Sequence, residues 1–389
     1  MNTTQASLLV LLKSAVMQLP QPLPDGFSME EVLTLSKPHH VVTMVYEGAL
    51  LCGISPADPA MRALFPKYCK ALQISALQMR DVERLCRTFD ENGIDYMPLK
   101  GCIMKALYPK PELRMMGDAD ILIRTEQYGD IIPLMQSLQF TQQRESDHEL
   151  IWVSNGLYLE LHKRLIPSYN DDFYGYFGEG WQRAEAVSGN RYAMSVEDEL
   201  IFQFTHFTKH YRDGGIGCRH IVDLWVYRNA HPELDTVYLE QQLEKLNLLT
   251  FYRNICRLIA VWFEGAASDE KTEYISNFIL SGGSWGTEES RAISRTVRYA
   301  AKSNRGVNGR LLYLWRLAFP GVETLRDKYR VLYKCPFLLP LVWLWRPFYK
   351  ILFERKSLES QKRRIEAVTS EGLDDRRKAL RYVGLDTDL

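Results

Sequence analysis

A pair of aspartates inside an otherwise apolar stretch constrains this chain most. Asp118 and Asp120 flank Ala119 and are followed at once by Ile-Leu-Ile, a pattern that predicts a β-strand. Alternate residues of a strand share a face and lie roughly 6.5–7 Å apart, so both carboxylates project from one side. Like charges in such a place are costly unless something compensates them. Because carboxylate oxygens are the ligands that Mg²⁺ prefers, the pair predicts a divalent-metal site.

A D-x-D motif by itself is weak evidence for a metal site, but the residues before this strand strengthen the prediction. A second D-x-D, at Asp386 and Asp388, lies in a polar tail where solvation explains it. Upstream of the first, the β-prone run YMPL ends at Lys100-Gly101 and continues into a short helix. A glycine permits close backbone approach, and a helix N-terminus favours an anion such as a phosphate.

A hairpin downstream supplies a third carboxylate. The runs ELIWVS and LYLELHK are joined by Asn155-Gly156, a strong hairpin signal. Alternation along the second run places Glu160 and His162 on one face and leucines on the other. Glu160 from a neighbouring strand would complete a metal-binding cluster.

The texture of the sequence divides the chain into three regions. Residues 1–92 have helical periodicity, residues 93–192 alternate short β-prone runs with short helices, and residues 193–389 are again helical. We therefore expect an α+β fold, in which a small mixed β-sheet core is flanked by N- and C-terminal helical regions.

Charge and cysteine usage exclude several classes of protein. Lys+Arg and Asp+Glu are both 48, so overall charge does not indicate a nucleic-acid coat. The seven cysteines are an odd number without a C-x-x-C pair, which argues against a disulfide framework and favours a reducing cytoplasm.

One segment, residues 336–353, has a membrane-like composition. Three prolines and two basic residues interrupt it, and its uncharged stretch is shorter than the roughly 18–20 residues that a span requires. We expect no transmembrane span and interpret the segment as a buried helical hairpin or an interfacial helix. Peripheral membrane contact is the alternative.

Together these motifs resemble the nucleotidyltransferase fold of the DNA polymerase beta superfamily. The sequence is similar to an uncharacterised bacterial nucleotidyltransferase family in a set of short matches: Lys100-Gly101, Tyr108-Pro109, Arg114, Asp118, Asp120, Leu122 and Glu160-Leu161-His162. The specific matches span about 65 residues. The first ninety residues and the last hundred show little resemblance.

The resemblance implies a set of roles. Asp118 and Asp120 would bind Mg²⁺, two ions in all, with Glu160 as third ligand or as base for the acceptor hydroxyl. Gly101 and the amides that follow would cradle the triphosphate of an NTP. The family's loop usually has glycine or serine next, whereas Cys102 stands here with a weaker donor.

Several further residues are weaker candidates. Lys100 and Arg114 are either phosphate contacts or, respectively, a surface lysine and a local ion pair. The possible substrate contacts are His162, His206, His210, Arg219 and Asp223. For the last two, a simple i,i+4 pair is the plain alternative.

The sequence thus predicts a cytoplasmic, bacterial, Mg²⁺-dependent nucleotidyltransferase. It would move an NMP from an NTP to an acceptor and release pyrophosphate. The acceptor is unidentified and is a small molecule, a glycan, a protein or an RNA. The alternative is a catalytically inactive nucleotide-binding or scaffold protein of the same fold, with membrane-peripheral attachment as a further variant.

Overall fold

The computed structural model describes residues 1–168, 170–301, 309–325, 328–353 and 362–385. The chain forms two compact units. The first comprises residues 1–208 and 217–280, and the second comprises residues 209–216 and 281–389. Asp386 and Asp388 lie outside the described residues.

The first unit contains a series of α-helices. They are α1 (Thr3–Met17), α2 (Met29–Ser36), α3 (Val42–Leu51), α4 (Pro59–Glu91), α5 (Gly101–Leu107), α6 (Tyr128–Ser137), α7 (Asp171–Phe177), α8 (Val196–Arg212), α9 (Arg219–Ala230), α10 (Thr236–Lys245), α11 (Leu249–Ile259) and α12 (Glu270–Gly282). Helices α8 and α12 continue past the boundaries of the first unit.

One mixed seven-stranded sheet holds the first unit together. Its strands are β1 (Tyr96–Leu99), β2 (Asp118–Ile123), β3 (Thr141–Glu145), β4 (Glu149–Ser154), β5 (Leu157–His162), β6 (Ala184–Ser188) and β7 (Arg191–Met194). They lie in the order β3-β4-β5-β2-β1-β7-β6. The β2–β5 and β1–β7 pairs are parallel and the others antiparallel. The expected α+β fold with a mixed sheet and flanking helices is confirmed.

The predicted hairpin is also confirmed. Strands β4 and β5 pair in antiparallel register from Glu149↔His162 to Ser154↔Leu157. Asn155 and Gly156 connect them with φ of 48° and 83°, the positive values that a tight two-residue hairpin turn requires. This turn fixes which residues of β5 face each side of the sheet.

The two faces of the sheet differ in chemistry. One face packs onto α4 and α6 through a buried apolar cluster that includes Ala119, Ile121, Trp152 and Leu159. Alternation along the strands therefore directs Asp118, Asp120 and Glu160 to the other face. Burial of the apolar set fixes the register, since a slip of one residue would exchange the faces.

The second unit is helical throughout its described residues. Its helices are α13 (Glu288–Ala301), α14 (Gly309–Ala318), α15 (Val322–Leu325), α16 (Val331–Lys334), α17 (Leu339–Phe353) and α18 (Ser370–Tyr382); residues 362–367 are also helical. Inside it, Arg376 donates to the Tyr211 carbonyl at 2.6 Å and to Ser294 Oγ at 3.1 Å.

The membrane-like segment forms α17 and the turn before it. The sequence led us to expect a buried helical hairpin or an interfacial helix. One side of α17 is buried, where Val342 packs in an apolar cluster with Leu325 and Leu332. The opposite side is exposed. Among the described residues, no helix combines the length and the apolar character that crossing a bilayer requires.

Candidate active site

Two parallel neighbouring strands bring the predicted carboxylates together. In the β2–β5 register, Asp118 pairs with Tyr158 and Asp120 with Glu160. Paired residues of adjacent strands project to the same face, and neighbouring strands lie about 4.8 Å apart. Ligand atoms of Asp120, Glu160 and His162 all lie within 4.8 Å of one another. Asp118 stands at the start of β2, one alternation away from Asp120. The residue as a whole is exposed, but neighbouring groups partly desolvate its carboxyl.

Asp120 is the most deeply held of these groups. The residue is 3% exposed, and its Oδ1 accepts hydrogen bonds from Lys100 Nζ at 2.8 Å and from His162 Nε2 at 2.9 Å. His162 Nε2 also lies 3.6 Å from Glu160 Oε2. Burial favours the neutral acid, but Lys100 and His162 outweigh it and hold the pKa of Asp120 well below its usual range.

The other two carboxyls respond in the opposite direction. Burial, Asp120 and Asp118 together raise the pKa of Glu160 to about 7. Burial followed by repulsion from Asp120 raises the pKa of Asp118. Burial and repulsion between the carboxylates thus disfavour the charged forms of Asp118 and Glu160, and a bound metal ion would relieve this.

Lys100 has a backbone conformation that lysine rarely adopts. It lies between β1 and α5 with φ 44° and ψ −109°. Such a conformation costs on the order of 1–3 kcal/mol and is concentrated at functional sites. Here it aims the ammonium group at Asp120, and that ion pair raises the pKa of Lys100 despite burial. Lys100 is thus a partly buried lysine that pairs with Asp120, and not the surface lysine of the plain alternative.

Gly101 lies in a tightly packed place. A Cβ built there would lie 2.9 Å from Met116 Sδ and 3.0 Å from Arg114 Nη1, so a larger residue would require these side chains to shift. The expected part of Gly101 in cradling a triphosphate stays a prediction. Cys102 is partly buried beside it, and burial with Asp120 raises the pKa of its thiol to about 12. Cys102 is accordingly a neutral thiol at physiological pH.

Arg114 is engaged with a residue far away in sequence. Its Nε donates to Asp223 Oδ1 at 2.9 Å and its Nη2 to Oδ2 at 3.2 Å. Tyr108 donates its hydroxyl to the same carboxylate at 2.7 Å. All three side chains are buried. The geometry favours a structural part for Arg114 and Asp223, because their ion pair joins the loop before β2 to α9. Arg114 thus pairs with Asp223 instead of the local partner expected from the sequence. Asp223 likewise pairs with Arg114 instead of Arg219.

The remaining candidates are dispersed. Arg219, on α9, donates Nη1 to the Met115 carbonyl at 2.7 Å, and its charge acts on Asp118. His206 is half-buried on α8 of the first unit. His210 belongs to the second unit, where its ring lies 5.4 Å from that of Trp285.

Glu199 is a site residue that the sequence interpretation missed. It lies on α8, is 3% exposed, and accepts Gln203 Nε2 at 2.9 Å. Its Oε2 is buried without a hydrogen-bond partner in the described part of the chain. The nearby Lys100 lowers its pKa, but burial dominates and raises that pKa to about 7. The sequence offered only an acidic first turn of a helix, with Ser195 Oγ capping Asp198 N, and nothing there indicates a contact with Lys100.

The donor set fits a divalent cation. Carboxylate oxygens suit Mg²⁺, which is held in proteins by one or two carboxylates together with phosphates and water. Asp118, Asp120 and Glu160 supply such oxygens on one face, and burial together with repulsion between the carboxylates raises the pKa values of Asp118 and Glu160. The ammonium group of Lys100 already occupies one cation position beside Asp120.

Fold and site together define a class: an α+β protein whose mixed sheet carries an acidic cluster across parallel neighbouring strands. A family model described as an uncharacterised nucleotidyltransferase matches residues 25–264. This span is more than half of the 389-residue chain, so the protein belongs to that nucleotidyltransferase family. The match includes most of the N-terminal helices, in which the sequence alone showed little resemblance. No curated protein matches the chain, and no solved structure does.

Proposed function

We propose that the protein is a Mg²⁺-dependent nucleotidyltransferase that acts in the cytoplasm of a bacterium. The observation that carries the proposal is the in-register pairing of Asp120 with Glu160 on adjacent parallel strands, with Asp118 on the same face. Membership of a nucleotidyltransferase family supports the reaction class. The substrates are an NTP and an acceptor that is a small molecule, a glycan, a protein or an RNA.

In the proposed reaction an acceptor oxygen attacks the α-phosphorus of the NTP and pyrophosphate leaves. Asp118, Asp120 and Glu160 would hold two Mg²⁺ ions, which neutralise charge on the phosphates and align the attacking and leaving oxygens. Glu160 would act either as the third metal ligand or as the base that accepts the proton of the acceptor hydroxyl.

Two cations position the charged groups of the reaction. Lys100 holds Asp120 ionised and oriented through its 2.8 Å contact, and its strained backbone keeps the ammonium group at the site. Arg219 is the candidate phosphate contact, because burial and the nearby Arg114 lower its pKa, so a bound anion would be stabilising there. The neutral Cys102 leaves phosphate binding to these cations and to backbone amides.

His162 is a positioning residue in this scheme. Its Nε2 donates toward Asp120 and lies near Glu160, so it fixes the two carboxylates relative to each other. Its Nδ1 is buried without a hydrogen-bond partner in the described part of the chain. His206 and His210 take no part in the proposal.

The experiment is a pyrophosphate-release assay with a panel of NTPs, with and without Mg²⁺. We expect release that requires the metal in the parent protein and is lost in Glu160→Gln, with folding checked by circular dichroism. Glu185→Gln, at an acidic position of edge strand β6, is the matched control and should retain the activity of the parent.

The alternative function, a catalytically inactive nucleotide-binding protein, rests on Cys102 in place of the usual glycine or serine. It predicts Mg²⁺-dependent nucleotide binding by calorimetry without pyrophosphate release for any NTP. Cys102→Ser is a second test, because it restores the hydroxyl donor in the loop. An increase in pyrophosphate release would show that the protein is active and that the loop contacts phosphate.

A further inference from the structure

One face of α17 exposes a continuous row of large apolar side chains. We call this row the apolar stripe. It consists of Phe337 (75% exposed), Leu341 (61%), Leu344 (70%), Trp345 (52%) and Phe348 (63%). From Leu341 onward the spacing is i, i+3, i+4, i+7, so these four side chains occupy one side of α17. Phe337 lies in the 3₁₀ turn that leads into the helix. Scattered exposed apolar residues are ordinary, but a contiguous row of this size marks an interaction surface.

The opposite face of α17 fixes the orientation of the stripe. Val342 is buried with Leu325 and Leu332. Trp343 Nε1 donates to the Pro320 carbonyl at 2.9 Å, and Arg346 Nη1 donates to the Leu317 carbonyl at 3.2 Å. The helix is therefore anchored inside the second unit by apolar and polar contacts. These contacts prevent α17 from rotating to bury the apolar stripe, so the stripe remains on the surface of the second unit.

The charge of this part of the chain differs from that of the whole. The protein has equal numbers of basic and acidic residues, 48 of each. Residues 309–353, by contrast, contain the basic residues Arg310, Arg316, Arg326, Lys328, Arg330, Lys334, Arg346 and Lys350 against only Glu323 and Asp327. Arg330 and Lys334 are exposed in the residues that lead into the stripe.

From this combination we infer that α17 docks on the surface of an anionic lipid bilayer. Tryptophan and phenylalanine beside lysine and arginine are the composition of helices that lie in the membrane interface, with the aromatic face among the acyl chains and the cations at the headgroups. Described helices too short or too polar to cross a bilayer are compatible with this peripheral mode.

A second copy of this chain is the competing occupant, and charge argues against it. Two copies joined through the stripe would bring two basic segments together, which is unfavourable, whereas anionic headgroups attract each basic residue near the surface. The inference is independent of the transfer reaction, because the stripe lies outside the residues that match the nucleotidyltransferase family.

The test is flotation of the full-length protein with vesicles. We expect flotation with vesicles of phosphatidylglycerol and phosphatidylcholine, weaker flotation with phosphatidylcholine alone, and a decrease with added salt. Trp345→Ala should weaken the partition by about tenfold, because it removes a large apolar side chain that would be buried in lipid. Arg330→Glu with Lys334→Glu should reduce binding to the anionic vesicles selectively.

Trp285→Ala is the matched control. Trp285 belongs to the same unit and is 61% exposed, but it lies outside the stripe, so this variant should float like the parent. Equal loss of flotation in both tryptophan variants would overturn the assignment to α17. So would no flotation of the parent with anionic vesicles, and so would a dimer by analytical ultracentrifugation that Trp345→Ala converts to a monomer.

Discussion

The acidic strand face of the first unit and the apolar stripe of the second depart in opposite ways from the usual distribution of side chains. The first buries ionisable groups and the second exposes large apolar ones. Burial and repulsion oppose ionisation of Asp118 and Glu160 in the acidic face, and our proposal is that a cation relieves this. The exposed stripe leaves apolar surface in water, and our proposal is that a lipid surface covers it. The two regions should therefore respond to different additions, the acidic face to a divalent cation and the apolar stripe to lipid vesicles.

A third region shows what buried charge looks like when the chain balances it internally. Asp223 accepts hydrogen bonds from Tyr108 and from both donors of Arg114, and Arg114 and Asp223 each shift the pKa of the other toward the charged form. In the acidic face, by contrast, only Asp120 is balanced. Asp118 and Glu160 have raised pKa values.

The largest expected effect is in the balanced cluster. Asp223→Ala leaves the buried guanidinium of Arg114 and the Tyr108 hydroxyl without their acceptor, and we expect the free energy of unfolding to fall by about 4 kcal/mol. Urea denaturation measures this loss, which should be the same with and without Mg²⁺. The matched control is Asp374→Ala, at the exposed i,i+3 pair with Arg377, which should cost less than about 0.5 kcal/mol. Rescue of Asp223→Ala by Mg²⁺ would place it in the metal site.

Asp120→Asn should have the next largest effect. If the like charges of Asp118 and Asp120 were uncompensated, removing either one would relieve repulsion and stabilise the metal-free protein. The structure reverses that expectation for Asp120, because Lys100 and His162 donate to it in a buried site. We expect a loss of about 3 kcal/mol in urea denaturation without metal, together with loss of Mg²⁺-dependent nucleotide binding. A more stable variant would show that the ion pair contributes nothing.

The sequence was sufficient for the elements that local patterns determine. Alternation identified β2 and β5, and Asn155-Gly156 determined the hairpin and with it the face on which Glu160 lies. The contacts between distant residues were not predictable in this way. The partner of Arg114 is 109 residues away, and Glu199 meets Lys100 from a helix nearly a hundred positions later. The last two strands, β6 and β7, were also missed, because both are short, β6 is mostly exposed and β7 has a single buried residue.

The stability of the metal-free protein should depend on the charge of Glu160. Its pKa is raised from an ordinary 4.5 to about 7. The folded state therefore binds the proton more tightly than the unfolded state, and the stability that this provides is lost as the pH rises from 4.5 through 7. The pKa values of His39 and His40 are lowered by burial, so these two residues make the protein more stable as the pH rises over a neighbouring pH range. The comparison must therefore be between parent and variant.

Glu160→Gln isolates this effect. Near pH 4.5 the variant and the parent should unfold at similar urea concentrations, since both side chains are then neutral. The variant should become progressively more stable than the parent up to about pH 7, and saturating Mg²⁺ should reverse the difference by stabilising the parent alone. An advantage of Glu160→Gln that is independent of pH would show that shape and not charge is responsible.

The smallest effect is expected in the apolar stripe. Trp345→Ala should change the free energy of unfolding in buffer by less than about 0.5 kcal/mol, because the side chain is mostly solvent-exposed. Val342→Ala, on the buried side of the same helix, should cost about 2 kcal/mol. Urea denaturation of both variants measures the contrast. Equal losses would mean that the stripe is packed in solution and that the comparison between the two regions fails.

The central claim, that the acidic face binds a metal–nucleotide complex, is tested most directly by thermal unfolding of the parent and Asp118→Asn with and without Mg²⁺ and NTP. Burial and Asp120 raise the pKa of Asp118, so removing its charge should raise the melting temperature of the metal-free protein. Mg²⁺ with NTP should raise the melting temperature of the parent and leave that of Asp118→Asn unchanged. A parent that does not respond to Mg²⁺, together with a destabilised Asp118→Asn, would contradict the account.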